Sequence, residues 1–221
     1  MSHITYADVK NCEEINTYIR QADVSLKSMG YTEHAFAHVT RCADLASAWL
    51  LELGGAGREA ELARIAAYMH DIGNVINRHN HAQTGAVMAF RLLEKLGMPP
   101  EEVAVVVTAI GNHDESTAHP VNSVAAALIL ADKTDVRRTR VRNDDVAAFD
   151  IHDRVNYAVH RADTALDADM RTLTLDLGVD TEICPVMDYF EIFMGRMLLC
   201  RRSAAFFDLK FKLIINGSVL M

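Results

Sequence analysis

His70 and Asp71 stand side by side in the run Ala66-Ala67-Tyr68-Met69-His70-Asp71-Ile72-Gly73, at the end of an apolar helical segment. Two adjacent polar side chains at the edge of a core are costly unless something satisfies them, and a bound metal ion does this well. Gly73 follows at a position where a helix is expected to stop. We therefore predict a metal site at this pair, with other parts of the chain arranged around it.

The residues on both sides of the pair are typical of a succession of helices. Apolar positions recur at helical spacing, and Gly or Pro punctuates the segments. The first predicted helix runs from a capping box at Asn11 and Glu14 to about Ser28, and the second from a cap at Thr32 to about Leu53. The third runs from about Arg58 to the His70-Asp71 pair. Three more helices follow, from His81 to the break at 97–100, from Pro100 to His113, and after Pro120 through Asp132. This part of the chain is therefore predicted to be a helical bundle.

Four further residues are expected to point toward the same place. His38, His113 and Asp132 fall on the apolar stripes of their helices, where solvated side chains should not lie. His81 opens its helix, and Gly85 one turn later would let another element approach closely. A single histidine on such a stripe is more often a satisfied core residue than a ligand. Separate burial of so many imidazoles and carboxylates, however, would need a separate hydrogen-bonding solution for each, and one metal site satisfies them together.

The candidate ligands are four histidines and two aspartates, without a thiolate: His38, His70, Asp71, His81, His113 and Asp132. Nitrogen and oxygen donors in this mixture suit a divalent transition metal, as one or two ions of Fe, Mn, Ni, Co or Zn. A structural zinc site built on cysteines is not expected, because the four cysteines are far apart and form no C-x-x-C pair.

Composition narrows the class of protein. The chain has 221 residues and a formal net charge of -8, which argues against binding to a nucleic acid polymer or an anionic membrane. The first residues have neither the basic start nor the apolar core of a signal peptide, and no uncharged apolar run approaches the roughly 20 residues of a membrane span. With unpaired cysteines, these features predict a cytoplasmic protein.

The pattern changes from helical to period two beyond a soft boundary near Phe149. Alternating apolar residues predict three strands, at about 155–159, 173–177 and 209–215, with a helix from about Glu182 to Ala205 before the last. We expect a mainly α chain, with a helical metal-binding domain at 1–148 and a small α+β module at 149–221, a three-stranded antiparallel sheet plus one helix. The apolar residues of that helix suit either domain core or the interface of a homo-oligomer.

The quoted residues resemble the HD-domain metal-dependent phosphohydrolase superfamily, an all-α fold named after its adjacent His-Asp. His38-Val39-Thr40-Arg41-Cys42-Ala43-Asp44-Leu45-Ala46 is similar to the family's H-x-x-R-V-x-x-x-A helix, with Cys42 in the valine place. His70-Asp71-Ile72-Gly73 matches H-D-I-G, and Ala131-Asp132-Lys133-Thr134-Asp135 looks like the closing A-D-K-x-D. The resemblance implies a metal site of His38, His70, Asp71 and Asp132, and it covers about residues 30–142.

Two more motifs resemble the branch of the superfamily that holds two metals, which includes bacterial diadenosine tetraphosphate hydrolases. His81-Ala82-Gln83-Thr84-Gly85-Ala86 is similar to an H-x-x-x-G-A helix start, and Ala109-Ile110-Gly111-Asn112-His113 to an A-I-x-x-H helix end. They imply that His81 and His113 hold a second ion, with His79 as a competitor for the place of His81. The chain lacks the G-Y-P of the cyclic-di-GMP-degrading type.

The implied function is hydrolysis of a small phosphorylated molecule, a nucleotide by preference, through attack of a metal-bound hydroxide. Asp71 would bridge two ions, while Asp132 or Lys133 would handle a proton or charge. Arg137 and Arg138 suit bidentate contacts to substrate phosphate. The alternative for these arginines is an exposed basic run paired with Asp144-Asp145, and for Lys133 a surface position.

Two other functions fit the same residues. One is a non-catalytic sensor, in which the helical unit binds a nucleotide and the C-terminal module reports or dimerises. The other is a di-iron oxygenase, because the same histidines and aspartates serve that chemistry in other members of the fold. A broad phosphoester panel and the dependence of any substrate loss on oxygen separate the three functions.

Overall fold

The computed structural model describes residues 3–142, 149 and 151–221. Its helices are α1 (Tyr6–Lys10), α2 (Glu13–Ser28), α3 (Phe36–Glu52), α4 (Gly57–Met69), α5 (His81–Leu96), α6 (Pro100–Gly111), α7 (Ser123–Lys133), α8 (Ile151–Ala158) and α9 (Val186–Phe206). Its strands are β1 (Val159–Asp167), β2 (Thr172–Val179), β3 (Lys210–Ile215) and β4 (Ser218–Val219). Short 3₁₀ turns follow α4 at Ile72–Val75 and α7 at Arg138–Arg140. The predicted class, mainly helical with a small C-terminal sheet and helix, is confirmed.

The helices α4 and α7 form the centre of the bundle. Nearly every residue of α4 from Ala60 onward is buried, and every residue of α7 from Val124 to Lys133 is buried. Helix α4 contacts α3, α6 and α7, and its many alanines let those neighbours approach. Because both central helices end inside the protein, the polar residues at their C-terminal ends are held in the interior.

Gly73 has a different role from the predicted helix stop. It lies in the 3₁₀ turn after α4 and does not have positive φ. A Cβ atom on Gly73 would lie 2.0 Å from the carbonyl oxygen of His81 and 2.5 Å from the amide nitrogen of Gly85. Gly73 therefore allows the start of α5 to pack directly against the His70-Asp71 turn, and the predicted close approach at Gly85 is confirmed.

The predicted helix caps at Asn11 and Thr32 are wrong. Asn11 is the C-cap of the short α1 and has helical backbone angles, so it cannot adopt the extended conformation of an N-cap. Helix α2 begins after Cys12, which makes no side-chain capping bond, and α3 begins after Ala35. A capping box does occur at Thr5, at the start of α1.

The first predicted strand is also wrong, because residues 151–158 form α8. Val155 and Ala158 are both buried and lie on one face of this helix. Over so short a segment, the pattern of apolar residues does not distinguish a helix from a strand. Within the described residues the sheet has four strands in the order β1-β2-β3-β4, one more than predicted. The predicted antiparallel arrangement is wrong for one pair, because β2 pairs with β3 in parallel, as in Leu173 opposite Phe211, and the sheet is therefore mixed. The long α9 between them is the crossover that a parallel pair requires.

The C-terminal elements pack on the bundle through α9, which contacts α7. The apolar core is continuous across the described residues, from Trp49 in α3 to Leu173 in β2 and Phe193 in α9. Residue 148, where the division was predicted, and the Asp144-Asp145 patch lie outside the described residues. The two-domain division therefore stays a prediction. On α9, Phe193 and Met197 are buried whereas Met187 and Met194 are exposed. Homo-oligomer formation stays a prediction too.

None of the described helices has the length and apolar character needed to cross a membrane.

Candidate metal centre

Six buried side chains from five segments meet at one point of the bundle. Each is at most 8 % exposed, although every one carries a polar or ionisable group. They come from α3, the end of α4, the start of α5, the residues after α6, and α7: His38, His70 with Asp71, His81, His113 and Asp132. The exposed His79, whose backbone amide bonds to Asn77, is outside this cluster. The structure thus brings together all six predicted ligands, with His81 rather than its competitor.

The carboxylate of Asp71 lies between two pairs of imidazoles. Its Oδ2 is 3.1 Å from Nε2 of His70 and 3.8 Å from Nε2 of His38. Its Oδ1 is 3.5 Å from Nε2 of His81 and 3.9 Å from Nε2 of His113. Each oxygen therefore faces a different histidine pair, which is the arrangement that a bridging carboxylate requires.

Asp132 lies on the His38 side of the cluster. Its Oδ1 is 3.3 Å from Nε2 of His38 and 3.8 Å from Nε2 of His70. Its Oδ2 is 2.7 Å from Nζ of Lys133. One oxygen of Asp132 thus faces the histidines while the other is held by a buried ammonium group.

The four imidazoles are all oriented by their second ring nitrogen. In each ring Nδ1 is within hydrogen-bond distance of an oxygen that can only accept: Asp135 Oδ2 for His38 at 2.8 Å, Ala67 O for His70 at 2.7 Å, Arg78 O for His81 at 3.1 Å, and Ile110 O for His113 at 2.6 Å. We therefore assign the hydrogen to Nδ1, which leaves the Nε2 lone pair of every neutral ring directed at the centre. This is the usual support of metal-binding histidines.

Both carboxylates of the cluster are ionised. Burial alone would raise the pKa of Asp71, but His70 and other imidazoles around it hold that pKa well below its usual range. Burial also opposes ionisation of Asp132, and there the neighbouring Lys133 lowers the pKa well below its ordinary value. The centre therefore contains two fixed negative charges in an interior where charges are costly without a counter-ion.

The imidazoles differ in their tendency to bind a proton. Burial lowers the pKa of His81, and lowers that of His113 well below its ordinary value, so both rings are neutral at neutral pH. Burial also lowers the pKa of His70, but the adjacent Asp71 outweighs burial and raises it. A cation bound at Nε2 of His70 would take the place of this proton, since only the deprotonated ring can be a ligand.

Several atoms at the centre lack the partner that a cation would supply. Nε2 of His70 and Oδ2 of Asp71 are buried without a hydrogen-bond partner among the described residues. Nε2 of His81 and Nε2 of His113 are only 3.2 Å apart, although both are acceptors in the assigned tautomers. Lone pairs that face each other at this distance repel unless a positive charge lies between them. The residues present therefore fit a divalent metal, which the chain could hold at this cluster.

A cavity of about 380 Å³ opens onto the centre. It is lined by members of the cluster and also by residues that the sequence analysis did not select: Tyr31, Arg78, Asn156, Phe193 and Arg196. Arg78 lies beside His81, with Nη1 3.3 Å from Nε2 of that ring. Arg196 adjoins the buried stripe of Phe193, Met197 and Cys200 on α9, and a charged residue beside such a stripe was the sequence signal that could have indicated it.

The predicted charge-handling and phosphate-binding residues have different positions. Lys133 is buried and lines the cavity, where it contacts Asp132 and Glu115, so its surface alternative is wrong. Arg137 instead bonds to Asp135, with Nη2 2.9 Å from Oδ2. Arg138 donates to the carbonyl oxygen of Tyr157 and stacks on that ring. Neither arginine lines the cavity within the described part of the chain, and their contact with substrate stays a prediction without geometric support.

Asp135 is the buried support of His38, and its replacement by asparagine tests that support. Burial alone would raise the pKa of Asp135, but hydrogen bonds from His38 and Arg137 lower it, so it is a carboxylate. An amide group removes this charge and also allows the His38 tautomer to reverse. We expect Asp135→Asn to weaken divalent-metal affinity about tenfold to a hundredfold, measured by chelator competition. Arg137→Ala is the control, because it leaves the His38–Asp135 bond in place; equal losses in both variants would contradict the prediction.

Comparison with known proteins gives three similarities. The HD domain family matches residues 35–150, the segment that contains all six residues of the cluster. MJ1020, an uncharacterised protein of Methanocaldococcus jannaschii, is 24% identical over 197 residues, which cover 79% of this chain and 75% of that protein. A crystal structure described as a predicted HD superfamily hydrolase, from an uncultured Thermotogales bacterium, is 27% identical with a TM-score of 0.44, covering 56% of this chain and 67% of the other.

Proposed function

This chain belongs to the HD domain family, and on that basis we propose that it is a metal-dependent phosphohydrolase acting on a small phosphorylated molecule, a nucleotide. The observation that carries the proposal is the position of Asp71, whose two oxygens face two separate pairs of Nε2 atoms at 3.1–3.9 Å. Two-metal hydrolases use such a bridging carboxylate to hold their ions about 3.5–4 Å apart.

The donor set divides into two ligand groups. His38, His70 and Asp132 would hold one ion, His81 and His113 the other, and Asp71 both. Divalent ions held there would supply Lewis-acid activation of a water molecule and of a phosphate oxygen. The protein fixes the donors in advance, because every ring is oriented through Nδ1 and both carboxylates are already ionised.

Lys133 acts on this centre through Asp132. Its Nζ is 2.7 Å from Asp132 Oδ2 and 3.2 Å from Glu115 Oε2, so the ammonium group lies between two carboxylates. Burial lowers the pKa of Lys133, but the two carboxylates outweigh burial and raise it, which keeps the group charged. Lys133 would therefore hold Asp132 in place with one oxygen toward the histidines, and we assign it a positioning role.

The cavity suits a small substrate better than a polymer. Its volume of about 380 Å³ is at the lower end of the range for small-molecule sites. Tyr31 and Phe193 contribute aromatic surface to the lining, and Arg78 and Arg196 contribute guanidinium groups. Aromatic surface can stack on a base while guanidinium groups bind phosphate oxygens, and both features favour a nucleotide.

The function is tested with purified protein loaded separately with Mn, Co, Ni or Fe. A panel of nucleoside mono-, di- and triphosphates, dinucleoside polyphosphates and simple phosphomonoesters is followed by release of phosphate and by chromatography. We expect hydrolysis of at least one nucleotide, lost in His70→Ala and retained in the control His79→Ala. If no compound is hydrolysed, retained nucleotide binding would favour the sensor, and oxygen-dependent substrate loss would favour the di-iron oxygenase.

The number of ions depends on His81 and His113, and a pair of histidine variants tests it. We expect wild type and His79→Ala to bind two equivalents of metal, because His79 is exposed and outside the cluster. His81→Ala is expected to bind one, since its second group would retain one imidazole and the Asp71 oxygen. Metal content is measured by elemental analysis after equilibration and desalting. Equal metal content in wild type and His81→Ala would contradict the two-ion site.

A further inference from the structure

The C-terminal helix α9 supplies an arginine to the cavity of the metal centre. Arg196 lines the same cavity as Asp71, Asp132 and Lys133, although it lies beyond the residues 35–150 that match the HD domain. A series of contacts joins it to the centre, from Arg196 through Glu115 and Lys133 to Asp132. The module after residue 149 thus contributes directly to the wall of the site.

The guanidinium group of Arg196 is held in one orientation. Its Nε forms an ion pair with Oε1 of Glu115, and its central carbon lies 4.8 Å from the centre of the Phe193 ring. Its terminal nitrogens make no hydrogen bond to the residues at 3–142, 149 and 151–221, and 27% of the side chain is exposed. Since a guanidinium group has donors on all three nitrogens, the donors of the two terminal nitrogens are unused among these residues, on a side chain that lines the cavity.

Lys133 differs from Arg196 in this respect. Its side chain is only 6% exposed, and its ammonium group contacts the carboxylates of both Asp132 and Glu115. The charge of Lys133 is therefore used within the protein. Glu115, held between Lys133 and Arg196, is ionised because these cations outweigh its burial and lower its pKa. Of the two cations linked by Glu115, Arg196 is the one with donors available to a ligand.

We propose that Arg196 binds an anionic oxygen of the substrate, a phosphate oxygen, and that α9 thereby determines which phosphorylated molecules the site accepts. The inference rests on the proposed function, because it takes the ligand of this cavity to be a phosphate compound. A guanidinium group oriented by Glu115 and Phe193 is suited to bind two oxygens of one phosphate group. Arg196 takes the role that the sequence analysis gave to Arg137 and Arg138.

The test compares Arg196→Ala, Arg196→Lys and the control Arg202→Ala, which removes an exposed arginine from the same helix. Binding of inorganic phosphate and pyrophosphate is measured by calorimetry on metal-free and Mn-loaded protein, and KM and kcat on the best substrate of the panel. We expect Arg196→Ala to weaken anion binding and raise KM about tenfold or more. Arg196→Lys should recover part of this loss, since lysine keeps the charge but not the paired donors.

A merely structural role would give a different pattern. Loss of packing would lower the melting temperature and the active fraction, and hence kcat, with KM and anion affinity unchanged. That pattern would overturn the proposal. So would an anion affinity of Arg196→Ala within about twofold of wild type. The proposal also fails if wild type binds neither phosphate nor pyrophosphate. If wild type binds pyrophosphate through Arg196 but hydrolyses nothing, the hydrolase proposal fails while that for Arg196 stands.

Discussion

Replacing Asp71 with asparagine is expected to abolish turnover and to remove at least one equivalent of bound metal. The carboxylate faces both histidine pairs, through Oδ2 at 3.1 Å from His70 and Oδ1 at 3.5 Å from His81. Asparagine offers one acceptor oxygen, and its amide nitrogen would point donors at one of the pairs. The variant would lose several kcal/mol of the stabilisation that bound metal gives to the transition state. This corresponds to a fall in kcat/KM of about a thousandfold or more.

The matched control is Asp44→Asn, which changes the same chemistry at an exposed position on α3. Asp44 pairs with Arg64 at the surface and does not line the cavity. We expect it to keep wild-type activity and metal content. Activity is measured on the best substrate and metal by elemental analysis, with circular dichroism to check folding. If Asp71→Asn retains activity within about threefold of wild type, Asp71 does not have the proposed bridging role.

Replacing Gly73 with alanine should have the largest effect on stability. The new Cβ would lie 2.0 Å from the His81 carbonyl oxygen, 2.5 Å from the Gly85 nitrogen and 2.7 Å from Thr84 Oγ1. Two of these atoms belong to the backbone of α5, so relief requires movement of the helix that supplies His81. We expect a loss of about 3 kcal/mol or more in the free energy of unfolding, equivalent to a fall of roughly 10 °C in melting temperature.

Gly195→Ala is the control for this substitution. Gly195 is exposed in the middle of α9, and a Cβ there would meet nothing within 4 Å. Alanine is about 1 kcal/mol more favourable than glycine inside a helix, so this variant should be slightly more stable than wild type. Thermal and urea unfolding of both variants measure the difference. Similar stability in Gly73→Ala and wild type would show that α5 can move away from the His70-Asp71 turn at little cost.

The arrangement around His70-Asp71 explains why the centre and the core depend on each other. Helices α4 and α7 are buried along most of their length and end at the centre, so their packing fixes Asp71 and Asp132. The start of α5 is fixed by the contact between Gly73 and Gly85. His38, His81 and Asp132 therefore lie on packed helices, and His70, Asp71 and His113 lie within two residues of helix ends, which favours a preorganised site.

Much of the helical part could be predicted from the sequence. A histidine or aspartate on an apolar stripe is a local signal, and it indicated His38, His113 and Asp132, which the structure brings into the cluster. Membership of the HD domain family is likewise confirmed by the match over 35–150. The C-terminal part was less predictable, because the alternation at 155–159 is also compatible with the helix α8 and because strand pairing is not encoded locally.

The residue types of the centre could be predicted locally, since ligand identity and helical spacing are properties of the chain. Which side chains reach the cavity depends on how distant segments pack together. Arg137 and Arg138 follow Asp132 closely, yet they contact Asp135 and Tyr157. Arg196 is distant in sequence but is brought to the site because α9 packs on α7. Contacts between distant segments are set by the burial of shared apolar surface, which no single segment specifies alone.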